Sequence, residues 1–287
     1  MTDPLTPRRF LEALRNEWAP VYGASEAQAM SRLVQKFLSR NTSHPIDLDQ
    51  TWPTETQWMA EKIRAAVGEG MPIQYALGEC WFDDSAFLVD QSVLIPRPET
   101  EELLDWIRKD NSDRHHPFRI LDIGTGSGVL AISLKKYFSN ASVTAIDISK
   151  AALRTAEENA TRFQKEITFM HLDFRNDELW KKLGSVDLIV SNPPYISYSE
   201  SASMPRNVVD FEPGVALFVE APDALLFYRL IATFAKQRLN PDGKIYIEIH
   251  EDRSNETSAI FHEAGFHTEC RRDMQGKSRM IRGIRKI

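Results

Sequence analysis

Phe10, Leu11, Leu14 and Trp18 recur at the spacing of one helix face. Thr6-Pro7 ahead of them pairs an N-cap with a proline at the first helical position, where its missing N–H costs nothing. A second helix is predicted from about Ser25 to Phe37, with Met30, Leu33, Val34 and Phe37 on one face. Thr54-Glu55-Thr56-Gln57 has the pattern of a capping box and opens a third, carrying Met59, Ile63 and Val67. Together they predict a small N-terminal helical bundle over residues 1–72.

The period changes near residue 79. Cys80 and Phe82, then Phe87 and Val89, alternate around Asp83-Asp84-Ser85, which reads as a hairpin within a linker over residues 73–95. Leu94-Ile-Pro-Arg-Pro-Glu-Thr-Glu101 is a proline-stiffened turn running into a helix, and Lys109 to Pro117 is a polar connector. From Phe118 the chain alternates. Strands are predicted at 118–123, 142–147, 167–172, 186–191 and 243–249, and helices at about 128–138, 150–163, 223–238 and 254–264. Such alternation calls for a mostly parallel sheet covered on both faces, an α/β fold over residues 96–287. The tail from Phe266 breaks the rule, and two strand-like segments around Gln275-Gly276 predict a terminal antiparallel hairpin at the sheet edge.

Composition narrows the class. In 287 residues, 42% hydrophobic and 26% charged side chains suit a sizeable core and exclude disordered, collagen-like and coiled-coil chains. No apolar run approaches membrane-helix length, and Met1-Thr2-Asp3-Pro4 is no signal peptide, so a cytoplasmic location without membrane attachment is expected. Cys80 and Cys270 lie far apart without ligand spacing, which predicts free thiols and no metal site. The 35 basic and 41 acidic residues give a net charge of −6, which argues against stable nucleic-acid binding and favours protein or small-molecule partners.

Candidate chemistry begins at Arg119-Ile-Leu-Asp-Ile-Gly-Thr-Gly-Ser-Gly128, a buried strand leaving through a glycine-rich turn into a helix. Glycines at 124, 126 and 128 permit positive φ and close ligand approach. The third comes one residue early for a dinucleotide fingerprint, which counts against an NAD-dependent dehydrogenase. Asp122 suits a ligand with an ammonium or sulfonium group. Asp147, with Ile148 beside it, ends the next strand and can accept from ribose hydroxyls. Asp173 and Phe174 close the third, as an acceptor for an adenine amino group and a ring to pack on the base. Each aspartate alone reads as a cap or turn residue. Three of them in register with the loop predict an S-adenosylmethionine (AdoMet) site on a Rossmann-like methyltransferase sheet, with Asp122, Gly124, Thr125, Gly126, Ser127, Gly128, Asp147, Ile148, Asp173 and Phe174 as its contacts.

Just past the fourth strand stands Asn192-Pro193-Pro194-Tyr195. Each proline forces its predecessor into extended backbone, and neither has an N–H. The loop thus offers two acceptors, the Asn192 side-chain oxygen and the Pro193 carbonyl, to both hydrogens of a planar NH₂ group. Tyr195 is expected to pack flat against that plane, leaving alignment as the remaining work.

These residues resemble the HemK/PrmC family of release factor glutamine methyltransferases over most of residues 73–287. The match rests on Pro72 to Gly78, Leu94 to Glu101, Asp122 to Gly128, Asn192 to Tyr195, Phe211-Glu-Pro213 and Gly276-Lys-Ser-Arg279. The resemblance implies methyl transfer from AdoMet to the side-chain amide nitrogen (N5) of the glutamine in the Gly-Gly-Gln motif of class I peptide chain release factors, in support of translation termination. It also implies that Gly124 to Gly128, Asp147, Phe174 and Asn192 contact the cofactor and that Asn192 to Tyr195 hold the amide. The helical region would help grip the release factor, and a monomer is expected. His250 departs from the family, which usually has glycine after Glu-Ile. Alternatives are a glutamine methyltransferase acting on a ribosomal protein, an N6-adenine type nucleobase methyltransferase, and a binding protein that kept the fold without catalysis. The nucleobase reading draws its support from the basic tail, Arg271, Arg272, Lys277, Arg279, Arg282, Arg285 and Lys286.

Overall fold

Thr6 caps the first helix as its sequence predicts, its hydroxyl accepting from Arg9 N at 3.5 Å. The computed structural model describes residues 6–42, 47–114, 117–219 and 223–286. The leading Met1-Thr2-Asp3-Pro4 and residues 115–116 of the polar connector lie outside them. Helices α1 (Pro7–Tyr22), α2 (Ala24–Arg40), α3 (Thr54–Gly68) and α4 (Ile73–Leu77) form one unit, Met1–Gly78. Its core joins Phe10, Leu14 and Trp18 to Val34, Ile63 and Ile73. The expected capping box does not form. Pro53 precedes α3 in extended backbone and has no side-chain acceptor, and the Gln57 amide donates instead to the Trp52 carbonyl at 2.9 Å.

The second unit, Glu79–Ile287, starts at the hairpin of β1 (Glu79–Phe82) and β2 (Ser85–Leu88). Asp83 and Asp84 both have positive φ, the mark of a type I′ turn. Ile73 and Leu77 belong to the helical core, while Phe82 and Phe87 are buried in the core of the second unit, because their apolar surface is covered there.

Next come α5 (Pro98–Asp110), β3 (Arg119–Ile123), α6 (Val129–Tyr137), β4 (Ser142–Asp147), α7 (Lys150–Arg162), β5 (Thr168–His171) and β6 (Val186–Ser191). The excursion that follows carries β7 (Ile196–Ser197), α8 (Arg206–Phe211), α9 (Gly214–Leu217) and β8 (Phe218–Val219). The chain closes with α10 (Leu226–Arg238), β9 (Leu239–Glu248), α11 (Ser254–Glu263), β10 (Phe266–Arg272) and β11 (Ser278–Arg285). Seven strands form one sheet in the order β10-β11-β9-β6-β3-β4-β5, parallel except that β11 runs antiparallel to both neighbours.

Successive strand residues serve opposite faces. Ile120, Leu188 and Val190 pack with α5 and α6, whereas Leu121, Ile123 and Ile189 pack with α10 and α11. Strand order reverses between β3 and β6. In open α/β sheets that switch point opens a crevice at the carboxyl ends of the strands.

The basic tail is spoken for within the fold. Arg271 pairs with Glu269, Lys277 with Glu251, Arg279 with Glu251 and Asp273, and Arg282 with Asp110 and Glu269. Arg272, Arg285 and Lys286 donate to main-chain carbonyls. Both thiols are free, and burial pushes that of Cys80 up to about 12. His250 has no positive φ, so its backbone does not call for glycine.

Candidate active site

A cavity of about 340 Å³ opens at the switch point, within the range of small-molecule sites. The glycine turn and the Asn-Pro-Pro segment both line it. Gly124, Thr125, Gly126 and Ser127 form one wall, Asp147 ends β4 with Ile148 after it, Asp173 and Phe174 follow β5, and Asn192 to Pro194 follow β6. Pro96, Arg97 and Thr100 close one side, with Val215, Ala216 and Phe218 on another.

Three expected residues stand elsewhere. Asp122 shares its face of β3 with Ile120 and is fully buried. Its side chain goes into the core while the cavity lies beyond the strand end. Oδ2 accepts from the Thr125 hydroxyl at 2.6 Å, and Oδ1 makes no hydrogen bond. Burial raises this carboxyl to about 7, against the pull of Thr125. The folded value lies above the unfolded one of about 3.9, so the folded state binds the extra proton. The contribution of this group to stability is fully present below about pH 4 and is lost as pH rises through 7. Asp122→Asn is therefore expected to gain stability relative to the wild type between pH 5 and 8, read from denaturant unfolding at each pH. A difference independent of pH would contradict the assignment.

Gly128 has φ of 82°, but a Cβ there would lie 3.1 Å from Ile132 Cδ1 and 3.2 Å from Ala156 Cβ. Its missing side chain lets α6 approach α7. Gly124 and Gly126 also have positive φ, with open space where a Cβ would stand. Tyr195, the third, does not line the cavity. Its hydroxyl donates to Glu248 Oε1 at 3.0 Å and its ring meets His250 edge-on.

Asp147 holds the turn as well as facing the cavity. Oδ2 accepts from Gly126 N at 2.9 Å and Oδ1 from Ser149 N at 2.8 Å. Burial raises its pKa and these backbone donors oppose the rise. Asp173 is gripped by the Arg175 guanidinium, which lowers its pKa. Its oxygens keep lone pairs for a further donor. Phe174 is buried and stacks on Trp180 with centroids 5.2 Å apart, which fixes its plane.

At the Asn-Pro-Pro segment, Asn192 Nδ2 donates to Thr100 Oγ1 at 3.2 Å, and the Thr100 hydroxyl donates to Glu248 Oε2 at 2.8 Å. Among the described residues nothing donates to Asn192 Oδ1. Burial raises the pKa of Glu248, eased by the Thr100 and Tyr195 hydroxyls and by Arg279. Glu212 is buried too, accepting from Arg97 at 2.5 Å and from Ile95 N at 3.1 Å, so Phe211-Glu-Pro213 clamps the proline turn at the cavity wall. Sequence reasoning assigned no role to Thr100, Glu212 or Glu248, although each lies in a motif or strand end it singled out. Asn159 carried no signal. It joins the hairpin to the loop, bonding Leu88 N, Leu88 O and Ser127 O.

The Methyltransferase small domain family matches residues 100–209. Over 229 residues the chain is 44% identical to a release factor glutamine methyltransferase of Flavobacterium psychrophilum, covering 79% of each chain. Over 267 residues it is 44% identical to a release factor glutamine methyltransferase of Lactococcus lactis, covering 86% of this chain and 96% of that one. The solved structure of a T. thermophilus 16S rRNA N2 G1207 methyltransferase in complex with AdoMet and guanosine shares the fold. Its TM-score is 0.53 at 15% identity, over 72% of this chain and 50% of that one.

Proposed function

The chain belongs to the release factor glutamine methyltransferase family, and from that premise we propose that it methylates the side-chain amide nitrogen of the glutamine in the Gly-Gly-Gln motif of class I release factors, with AdoMet as donor. The observation that carries this reading is the shared cavity. An Asn-Pro-Pro segment whose two prolines carry no N–H lines the space beside the glycine turn, with its asparagine NH₂ donating to Thr100.

The residues present fit AdoMet. Asp147 offers carboxylate lone pairs to a ribose, Phe174 gives a fixed apolar surface for a base, and Gly124 and Gly126 leave room at the turn. Asp122 is not available to a sulfonium and drops out of the proposed contacts. When bound, AdoMet supplies an electrophilic methyl group on sulfur.

What this chain supplies is positioning. A carboxamide nitrogen is a poor nucleophile because its lone pair is delocalised. Asn192 Oδ1 and the Pro193 carbonyl can each accept one amide hydrogen, which raises electron density on nitrogen and holds its plane. Proline at 193 and 194 removes both local N–H competitors and fixes the approach. Tyr195 steadies the segment through Glu248 rather than by stacking on the amide. Val215 and Phe218 help exclude water. The N-terminal helices serve to grip the release factor.

The reading favours a protein over a nucleobase substrate, supported by internal partners for all seven basic tail residues. Incubation with labelled AdoMet and either a release factor or duplex DNA separates the readings. Label is expected on the release factor and absent when its motif glutamine is changed to alanine. Label on DNA with none on protein would reverse the conclusion.

A further inference from the structure

We infer that Glu248 and Thr100 are positioning residues that decide which end of the Asn192 amide faces the cavity, an inference that rests on the role proposed above for Asn192.

The two ends of a primary amide have nearly the same shape and opposite hydrogen-bond polarity, so neighbours set its orientation. The side-chain partner of Asn192 among the described residues is Thr100 Oγ1. A hydroxyl has a single hydrogen. That of Thr100 goes to Glu248 Oε2, which leaves Thr100 only lone pairs to show Asn192. Glu248 is 1% exposed, and its Oε2 stands as the acceptor for the Thr100 hydroxyl. Its second oxygen takes the Tyr195 hydroxyl, so both hydroxyls point inward at one carboxylate. Polarity therefore runs one way, from carboxylate to hydroxyl to amide. A flipped Asn192 would set Oδ1 against the lone pairs of Thr100, two acceptors with no hydrogen between them. The observed orientation leaves Oδ1 as the end free to accept.

The placement is built by three distant segments. Thr100 lies in the first turn of α5, its N–H donating to the Arg97 carbonyl at 3.1 Å, and β9 brings Glu248 alongside the end of β6.

Thr100→Val keeps the shape and deletes the relay. In steady-state transfer to a release factor, kcat is expected to fall about tenfold while AdoMet affinity by calorimetry stays within about threefold. Thr100→Ser should recover most of the lost rate, a rescue that a purely packing role would not give. Glu248→Gln places a donor on one end of the anchor and should lower kcat about three- to tenfold. The double variant should lose less than the product of the two single losses, because the Thr100–Glu248 relay is cut only once. A Thr100→Val protein that binds AdoMet and keeps kcat within about twofold overturns the inference, as do losses that multiply in the double variant. Should either single variant fail to bind AdoMet, the other decides by the same criterion. A wild type inactive on release factors removes the proposed function and this inference together. An active wild type with an indifferent Thr100→Val removes only the inference.

Discussion

Asn192→Ala is expected to lower kcat for transfer to a release factor by roughly a hundredfold to a thousandfold, the range seen when one preorganised hydrogen-bonding partner of a reacting group is removed. AdoMet affinity should change by less than about tenfold. The asymmetry follows from where the side chain acts. Alanine leaves the Pro193 carbonyl to hold one amide hydrogen and nothing to hold the other, so the nitrogen can rotate away from the methyl group. The glycine turn, Asp147 and Phe174, which line the same cavity, are untouched. Single-turnover rates beside calorimetric binding separate the two quantities. Equal losses in binding and turnover would place Asn192 with the cofactor alone, and an unchanged rate would remove it from the chemistry.

Asp147→Ala should act in the opposite sense, weakening AdoMet binding by about ten- to a hundredfold with a much smaller change in kcat at saturation. Hydrogen bonds to charged groups contribute about 1.5–3 kcal/mol, which corresponds to that range. Two losses combine. The ribose loses its acceptor, and Gly126 N loses the carboxylate oxygen that holds the turn at 2.9 Å. Asp147→Asn should fall between, because its single carbonyl oxygen can replace only one of the two acceptors. Calorimetry on the three proteins gives the order directly. Undiminished affinity in the alanine variant would mean that the carboxylate organises the turn without touching a ligand.

Much of the architecture is legible in the chain because its causes are local. Helix and strand periods, the proline that opens α1, the Asp-Asp turn of the hairpin and the change to strand-helix alternation all act within a few residues. The excursion from β7 to β8 went unread, since its strands are two residues long and its helices four to six. Periodicity has nothing to repeat over such lengths. The capping box at Thr54 misled for the converse reason: a local pattern was present, but Pro53 already supplied the entry to the helix.

The site divides in the same way. Positive φ at Gly124 and Gly126, and a segment at 192–194 poor in N–H groups, are steric and covalent properties that any tertiary setting would inherit. Which atoms those segments present is another matter. Strand alternation turned Asp122 into the core, and helix contact claimed Gly128. A buried carboxylate drew Tyr195 away from the cavity and oriented Asn192 through a hydroxyl. Thr100 is 92 residues from Asn192 and 148 from Glu248, and Arg97 is 115 from Glu212. Backbone geometry is written residue by residue, whereas hydrogen-bond polarity and charge pairing belong to groups that only folding brings within 3 Å or so of each other.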